Sequence, residues 1–170
     1  MVTYGAACSL DLFIAREDHA VDWLIWSDEV AELMGNFWKT IDTVVMGRKT
    51  YEVAARSGTT AYPGVVNYLC SRTMTTVPDP RVTLAEDGVG LIRRLKEGPG
   101  TGICVMGGSE LAQSLLEAGL IDQVGMNLHP ILLGSGIPLF RRLSGDLRWE
   151  LVESRILKTG CVYLLYQRRP

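Results

Sequence analysis

The sequence predicts an α/β fold with a largely parallel sheet and one antiparallel edge. Three observations carry this. Strand-like apolar runs alternate with helix-like periodic segments through most of the chain. The last two β-rich runs, residues 147–157 and 161–169, are separated only by Lys158-Thr159-Gly160, as in a hairpin. The 170 residues, 47% of them hydrophobic, suffice for one domain with a real core.

The elements follow in order. Residues 2–9 read as the first strand, and 11–26 as a loop carrying aromatics. Residues 27–41 read as a helix: Val30, Leu33, Met34, Phe37, Trp38 and Ile41 recur at spacings of three and four. Ser27 is its N-cap, with acids behind it. Residues 43–47 form a second strand, and 49–58 a helix ending at Gly58. A third strand covers 65–71. A turn and a short strand fall within 77–86, and a short helix at 88–98 closes on Gly98. Residues 102–108 read as a strand feeding a helix over 109–120, where Leu111, Ala112, Leu115 and Leu116 form one face and Gly119 suits the C-terminal cap. Residues 122–132 are strand-like, and the hairpin closes the chain.

The bulk numbers exclude several classes. A net charge of −2 gives no general attraction to nucleic acid or to an anionic membrane. No apolar run approaches the roughly 18 residues of a membrane span. The N-terminal stretch has no cation before its apolar part, and Asp11 interrupts it, which argues against a signal peptide. A cytoplasmic location is the expectation. Cys8, Cys70, Cys104 and Cys161 lie in or beside apolar runs without CxxC spacing and read as buried small hydrophobes. His19 and His129 have no metal-motif context, so no metal site is expected.

Two strand-to-helix junctions are rich in hydrogen-bond donors. The first is Gly47-Arg48-Lys49-Thr50. A strand feeding a helix leaves free backbone N–H groups and a partial positive charge at the turn. Gly47 permits close approach, Arg48 adds a planar fork of donors, Lys49 a mobile charge and Thr50 a hydroxyl. This set suits a phosphate monoester. The alternative is a solvated helix start, but a basic pair there opposes the macrodipole, which leaves its placement unexplained. The second junction is Gly107-Gly108-Ser109-Glu110, where a backbone without side chains can approach a pyrophosphate and Ser109 can cap the helix. A ligand-free tight turn is the competing reading. Neither GxGxxG nor GxxxxGK[ST] occurs, so an ordinary Rossmann or P-loop protein is not indicated. One junction for a monoester and one for a pyrophosphate together suggest NADPH.

At this point the residues resemble a family. Residues 9–15, SLDLFIA, are similar to the SLDGxIA motif of riboflavin-biosynthesis reductase domains. Residues 44–52, VVMGRKTYE, resemble the MGRxT(Y/W)E motif shared with dihydrofolate reductase. Residues 105–124, VMGGSELAQSLLEAGLIDQV, resemble the paired-glycine junction of the superfamily, and residues 129–140, HPILLGSGIPLF, its PxLLGxGxxLF segment. The resemblance is to the dihydrofolate reductase-like superfamily over nearly the whole chain, in the branch of the riboflavin-biosynthesis reductase domain. It implies a single domain spanning 1–170, a three-layer fold with a mostly parallel central sheet and a C-terminal antiparallel hairpin, an NADPH-dependent hydride transfer and a homodimer.

Carried over residue by residue, Gly47, Arg48, Lys49 and Thr50 would hold the 2′-phosphate and pyrophosphate. Ser71, Arg72 and Thr73 would flank the adenine ribose, and Gly107, Gly108, Ser109 and Glu110 the pyrophosphate and nicotinamide ribose. Ala7 and Ile14 would line the nicotinamide pocket. The resemblance also implies a cis peptide between Gly107 and Gly108. Asp11 is the candidate for substrate contact, and Trp23 and Asn127 are candidate pocket walls, beside their plainer readings as a core aromatic and a strand-end polar residue. Arg16, Arg141 and Arg142 are available for a substrate phosphate. Two departures stand out. Leu12 replaces the motif glycine, so the loop after the first strand is expected to differ. Asp28, Glu29 and Glu32 do not fall where dihydrofolate reductase keeps its acid, which counts against folate reduction. The expected substrate is a small ribosylaminopyrimidine-like or pteridine molecule. The alternatives are a divergent dihydrofolate or pteridine reductase and an inactive NADP-binding protein.

Overall fold

A computed structural model describes residues 1–169 of the chain. Strand β1 (Val2–Cys8) opens the chain and is followed by a short strand β2 (Phe13–Ala15) and helix α1 (Asp28–Trp38). Ser27 caps α1 as expected: the Val30 N–H donates to its hydroxyl at 3.3 Å. The helix stops three residues earlier than its apolar pattern, because Ile41 turns into the core as loop. Then come β3 (Thr43–Gly47), α2 (Arg48–Arg56), β4 (Val66–Cys70), β5 (Val82–Ala85) and α3 (Gly88–Glu97). The chain continues with β6 (Ile103–Met106), α4 (Ser109–Glu117), β7 (Gln123–Leu128), β8 (Ile137–Pro138), β9 (Trp149–Ile156) and β10 (Val162–Arg168).

Eight strands form one sheet in the order β5-β4-β3-β6-β1-β7-β10-β9. All neighbours pair in parallel until β10, which runs antiparallel to β7 and to β9. This is the expected parallel sheet with an antiparallel edge. The chain moves outward from β3 to β5, then returns to insert β6 between β3 and β1. Such a reversal opens a crevice at the carboxyl ends of the central strands, where α/β sheets bind ligands.

The strand alternation divides the core into two layers. Tyr4, Val45 and Val105 face Leu91, Ile92 and Leu115 of α3 and α4. Val44, Met46 and Cys104 face the opposite way and pack with Tyr51 of α2 and the aromatics at the end of α1. A third, smaller cluster joins Val30 of α1 to Leu157 and Cys161 of the hairpin. Sheet and flanking helices thus make three layers, and the four cysteines are free.

The pair β2–β8 was not expected. It ties the loop after β1 to the 131–139 segment. Leu12 takes a left-handed conformation, φ 61°. The loop therefore makes a positive-φ turn at a residue other than glycine. Hydrogen bonds fix it on both sides: Leu12 N–H donates to Ser9 C=O at 3.0 Å, and Leu139 N–H donates to Leu12 C=O at 2.8 Å. A non-glycine residue held this way costs about 1–2 kcal/mol.

Candidate functional site

The reversal of strand order does open a cleft, of about 840 Å³. Its floor comes from Gly5, Ala6 and Ala7 of β1 and Met106 of β6. One wall is the start of α2, another the start of α4, and Ile14, His19, Val21 and Leu24 close the side nearest β1. The far end is lined by Cys70 to Thr73 and by Glu86 to Val89. A smaller hollow among Arg16, Glu17, Asp18, Leu133 and Ser135 shares no residue with it.

Every residue expected on the cofactor side lines this cleft: Ala7, Ile14, Gly47 to Thr50, Ser71 to Thr73 and Gly107 to Glu110. The two junctions meet. A Cβ built on Gly107 or Gly108 would stand 3.1 or 3.2 Å from Thr50 Oγ1. Both glycines also sit at positive φ, 53° and 73°. The bond between them is trans, which corrects the expectation of a cis peptide. Two successive left-handed residues, open to glycine alone at low cost, make the sharp turn that a cis bond was expected to supply.

Neither helix start carries a side-chain cap. Gly47 and Gly108 are the N-cap residues, so the first-turn N–H groups of α2 and α4 have no side-chain acceptor. This revises the role given to Ser109. It is the first helical residue rather than the cap, and its buried hydroxyl accepts from Arg141 Nε at 3.3 Å. Arg48 pairs with Glu52 one turn on, at 2.9 Å, while Lys49 and Arg72 make no ion pair among the described residues. Ser71 turns its hydroxyl inward to accept from Thr73 and Met74 N–H at 3.2 and 3.1 Å, shaping the turn after β4. The result is a long cleft with cations and free N–H donors on both sides of a paired-glycine turn.

The substrate candidates are placed differently. Asp11 does not line the cleft. Its carboxylate accepts from Ser9 Oγ at 2.6 Å, Leu133 N–H at 3.1 Å and Gly134 N–H at 2.7 Å. These bonds, the serine first, hold its pKa down to about 2. Asp11 pins the loop after β1 to the 131–134 turn. Trp23 and Asn127 are also absent from the lining; both flank His129, and Asn127 is the neighbour of Ala7 in register. Ile25 N–H donates to His129 Nδ1 at 3.2 Å, so the ring proton sits on Nε2. Nε2 lies 3.4 Å from the Asn127 amide. Asn127 Oδ1 is buried without a hydrogen-bond partner among the described residues. Burial lowers the His129 pKa, consistent with a neutral ring.

Of the three arginines considered for a substrate phosphate, Arg141 alone enters the cleft. Arg16 is bound to Asp22 at 2.7 Å, and the backbone of Arg142 accepts from Gln113 at 2.6 Å. No lining residue comes from α1. Glu29 instead accepts from Lys158 N–H at 2.8 Å. The sequence reading missed Gly5 and Gly88. A Cβ on Gly88 would meet Leu111 Cδ1 at 2.7 Å, so this glycine lets α3 begin against the cleft wall.

Sheet order, hairpin edge and cleft position define a dihydrofolate reductase-like fold, and solved structures agree. A provisionally named riboflavin biosynthesis protein of Shewanella sp. PV-4 superposes with a TM-score of 0.88 at 26% identity, over 99% of each chain. Dihydrofolate reductase of Enterococcus faecalis, solved with NADP(H) and RAB-propyl, gives 0.75 at 19% identity, over 100% of this chain and 97% of its own. The chain belongs to the RibD C-terminal domain family, whose profile matches residues 1–163. Two uncharacterized Bacillus subtilis (strain 168) proteins are similar in sequence. YwjB is 34% identical over 85% of each chain, and YyaP 26% identical over 94% of this chain and 90% of its own. Family and fold are reductase-like.

Proposed function

We propose that the protein is an NADPH-dependent reductase that transfers hydride to a small ribosylaminopyrimidine of the riboflavin-biosynthesis type. The observation that carries this is the contact between two uncapped helix starts across one cleft, with Thr50 against the Gly107-Gly108 turn. Arg48 and Lys49 at the start of α2 supply charge for a 2′-phosphate. The first turn of α4 supplies N–H donors for a diphosphate. Ser71, Arg72 and Thr73 extend the cleft for the adenine ribose, and Ala7 and Ile14 offer an apolar wall to a nicotinamide ring. NADPH supplies the hydride. The chain's part is to hold donor and acceptor in register and to keep water from the transfer.

The substrate end lies beyond Ala7 and Ile14. Trp23 and Asn127 shape it from behind, through His129, and Asp11 fixes the loop that borders it. Asp11 therefore acts by position in this reading. That α1 sends no acid into the cleft speaks against dihydrofolate, whose protonated ring is held by a carboxylate. The exposed edge strand β9 suits a homodimer, and the composition suits the cytoplasm. The test is NADPH oxidation, followed by absorbance, with the open-chain phosphoribosylaminouracil and with dihydrofolate. Turnover of the first alone is expected. Turnover of dihydrofolate alone would move the assignment to a pteridine reductase, and tight NADPH binding without turnover of either would mark a binding protein.

A further inference from the structure

Arg141 reaches the cleft from the segment after β8 and lies over the first turn of α4. Its Nη2 donates to Glu110 Oε1 at 2.8 Å, and its Nε donates to Ser109 Oγ at 3.3 Å. The guanidinium is thereby held over the first turn of α4, still partly exposed to solvent. A cation at a helix start is opposed by the macrodipole, and Glu110 offsets that cost here. Arginine carries five N–H donors in a rigid fork, so donors remain beyond the two bonds formed. They stand next to the uncapped N–H groups of α4.

We propose that Arg141 is a diphosphate ligand, which exchanges its Glu110 partner for a phosphate oxygen when a dinucleotide binds. The inference rests on reading the cleft as an NADPH site. It divides the work between two arginines, each parked on a glutamate of the helix it guards: Arg48 on Glu52, Arg141 on Glu110. Arg48 reads the 2′-phosphate that NADH lacks. Arg141 reads the diphosphate that NADPH and NADH share. The phosphate of a substrate monoester has the same chemistry, and binding measured without substrate separates the two sources.

The experiment is tryptophan fluorescence titration of the full chain with NADPH and with NADH, for wild type, Arg141→Ala, Arg141→Lys, Glu110→Gln and Arg48→Ala. Loss of a charge-assisted hydrogen bond predicts that Arg141→Ala weakens both cofactors about tenfold and leaves their ratio unchanged. Arg141→Lys, which keeps the charge but not the fork, recovers part of the loss. Glu110→Gln tightens both a few-fold, since the competing carboxylate is gone. Unchanged thermal melts show that the variants fold; the ion pair is solvent-exposed on both sides. Arg141→Ala affinities within about twofold of wild type for both cofactors would overturn the proposal, because that change is below one hydrogen bond. A changed NADPH-to-NADH ratio in Arg141→Ala would overturn it too. Failure of the NADPH reading has another signature: equal affinities in wild type and no effect of Arg48→Ala on their ratio.

Discussion

Leu12 takes a left-handed turn that its own side chain disfavours. The turn is fixed by a local bond to Ser9 C=O and a distant one from Leu139 N–H. Asp11 beside it accepts N–H groups from Leu133 and Gly134, more than 120 residues away. Those partners are invisible in a local reading, which is why Asp11 stood as a candidate for substrate contact and not as a loop anchor. The strain should be recoverable. Leu12→Gly removes about 1–2 kcal/mol of left-handed cost and adds roughly 0.4–1 kcal/mol of unfolded-state entropy. A net gain of about 0.5–1 kcal/mol is expected, with Tm up by roughly 2 °C in a thermal melt. A lower Tm would show that Leu12 contributes packing the turn depends on. The acid limb of stability carries the same loop. With its folded pKa depressed to about 2, Asp11 contributes fully above its unfolded value near 4, and the contribution is lost as pH falls between the two.

At the scale of elements, the junctions β3–α2 and β6–α4 were legible because each compresses its physics into a few adjacent residues. A short apolar strand, a glycine, then donors at a helix start is a local statement. The cleft lining at Gly47 to Thr50 and Gly107 to Glu110 follows from it, whereas Gly5 and Gly88 carry no such local signal. The pair β2–β8 was not legible, since strands of three and two residues leave no periodicity. The peptide geometry at Gly107-Gly108 was misread for a related reason: glycine at two successive positive-φ positions and a cis bond both produce a sharp turn from the same letters. The observed geometry makes a prediction. Gly108→Ala places a Cβ 3.2 Å from Thr50 Oγ1 at φ 73°. It should cost about 1–2 kcal/mol, lower Tm by roughly 4 °C and weaken cofactor binding. Wild-type affinity in that variant would show that the turn does not face the ligand.

For the whole molecule, the fold class came from alternation and the final hairpin, and both hold. What one chain's sequence leaves open is the outer edge of the sheet. In β9, Leu151 is 49% exposed, Val152 53% and Ile156 86%. An edge strand with apolar side chains in water invites a partner, and a second copy of the chain is the proposed one. Sedimentation should give a dimer for wild type and a monomer for Ile156→Lys with unchanged Tm; a wild-type monomer would dismiss the idea. The central claim concerns the cleft instead: two helix starts, one reading a 2′-phosphate and the other a diphosphate. The most direct measurement is the ratio of NADH to NADPH dissociation constants in wild type and in Arg48→Ala. A ratio of about ten or more is expected, since the 2′-phosphate adds at least one charge-assisted contact. It should fall toward one in Arg48→Ala. Equal affinities for the two cofactors in wild type would contradict the account.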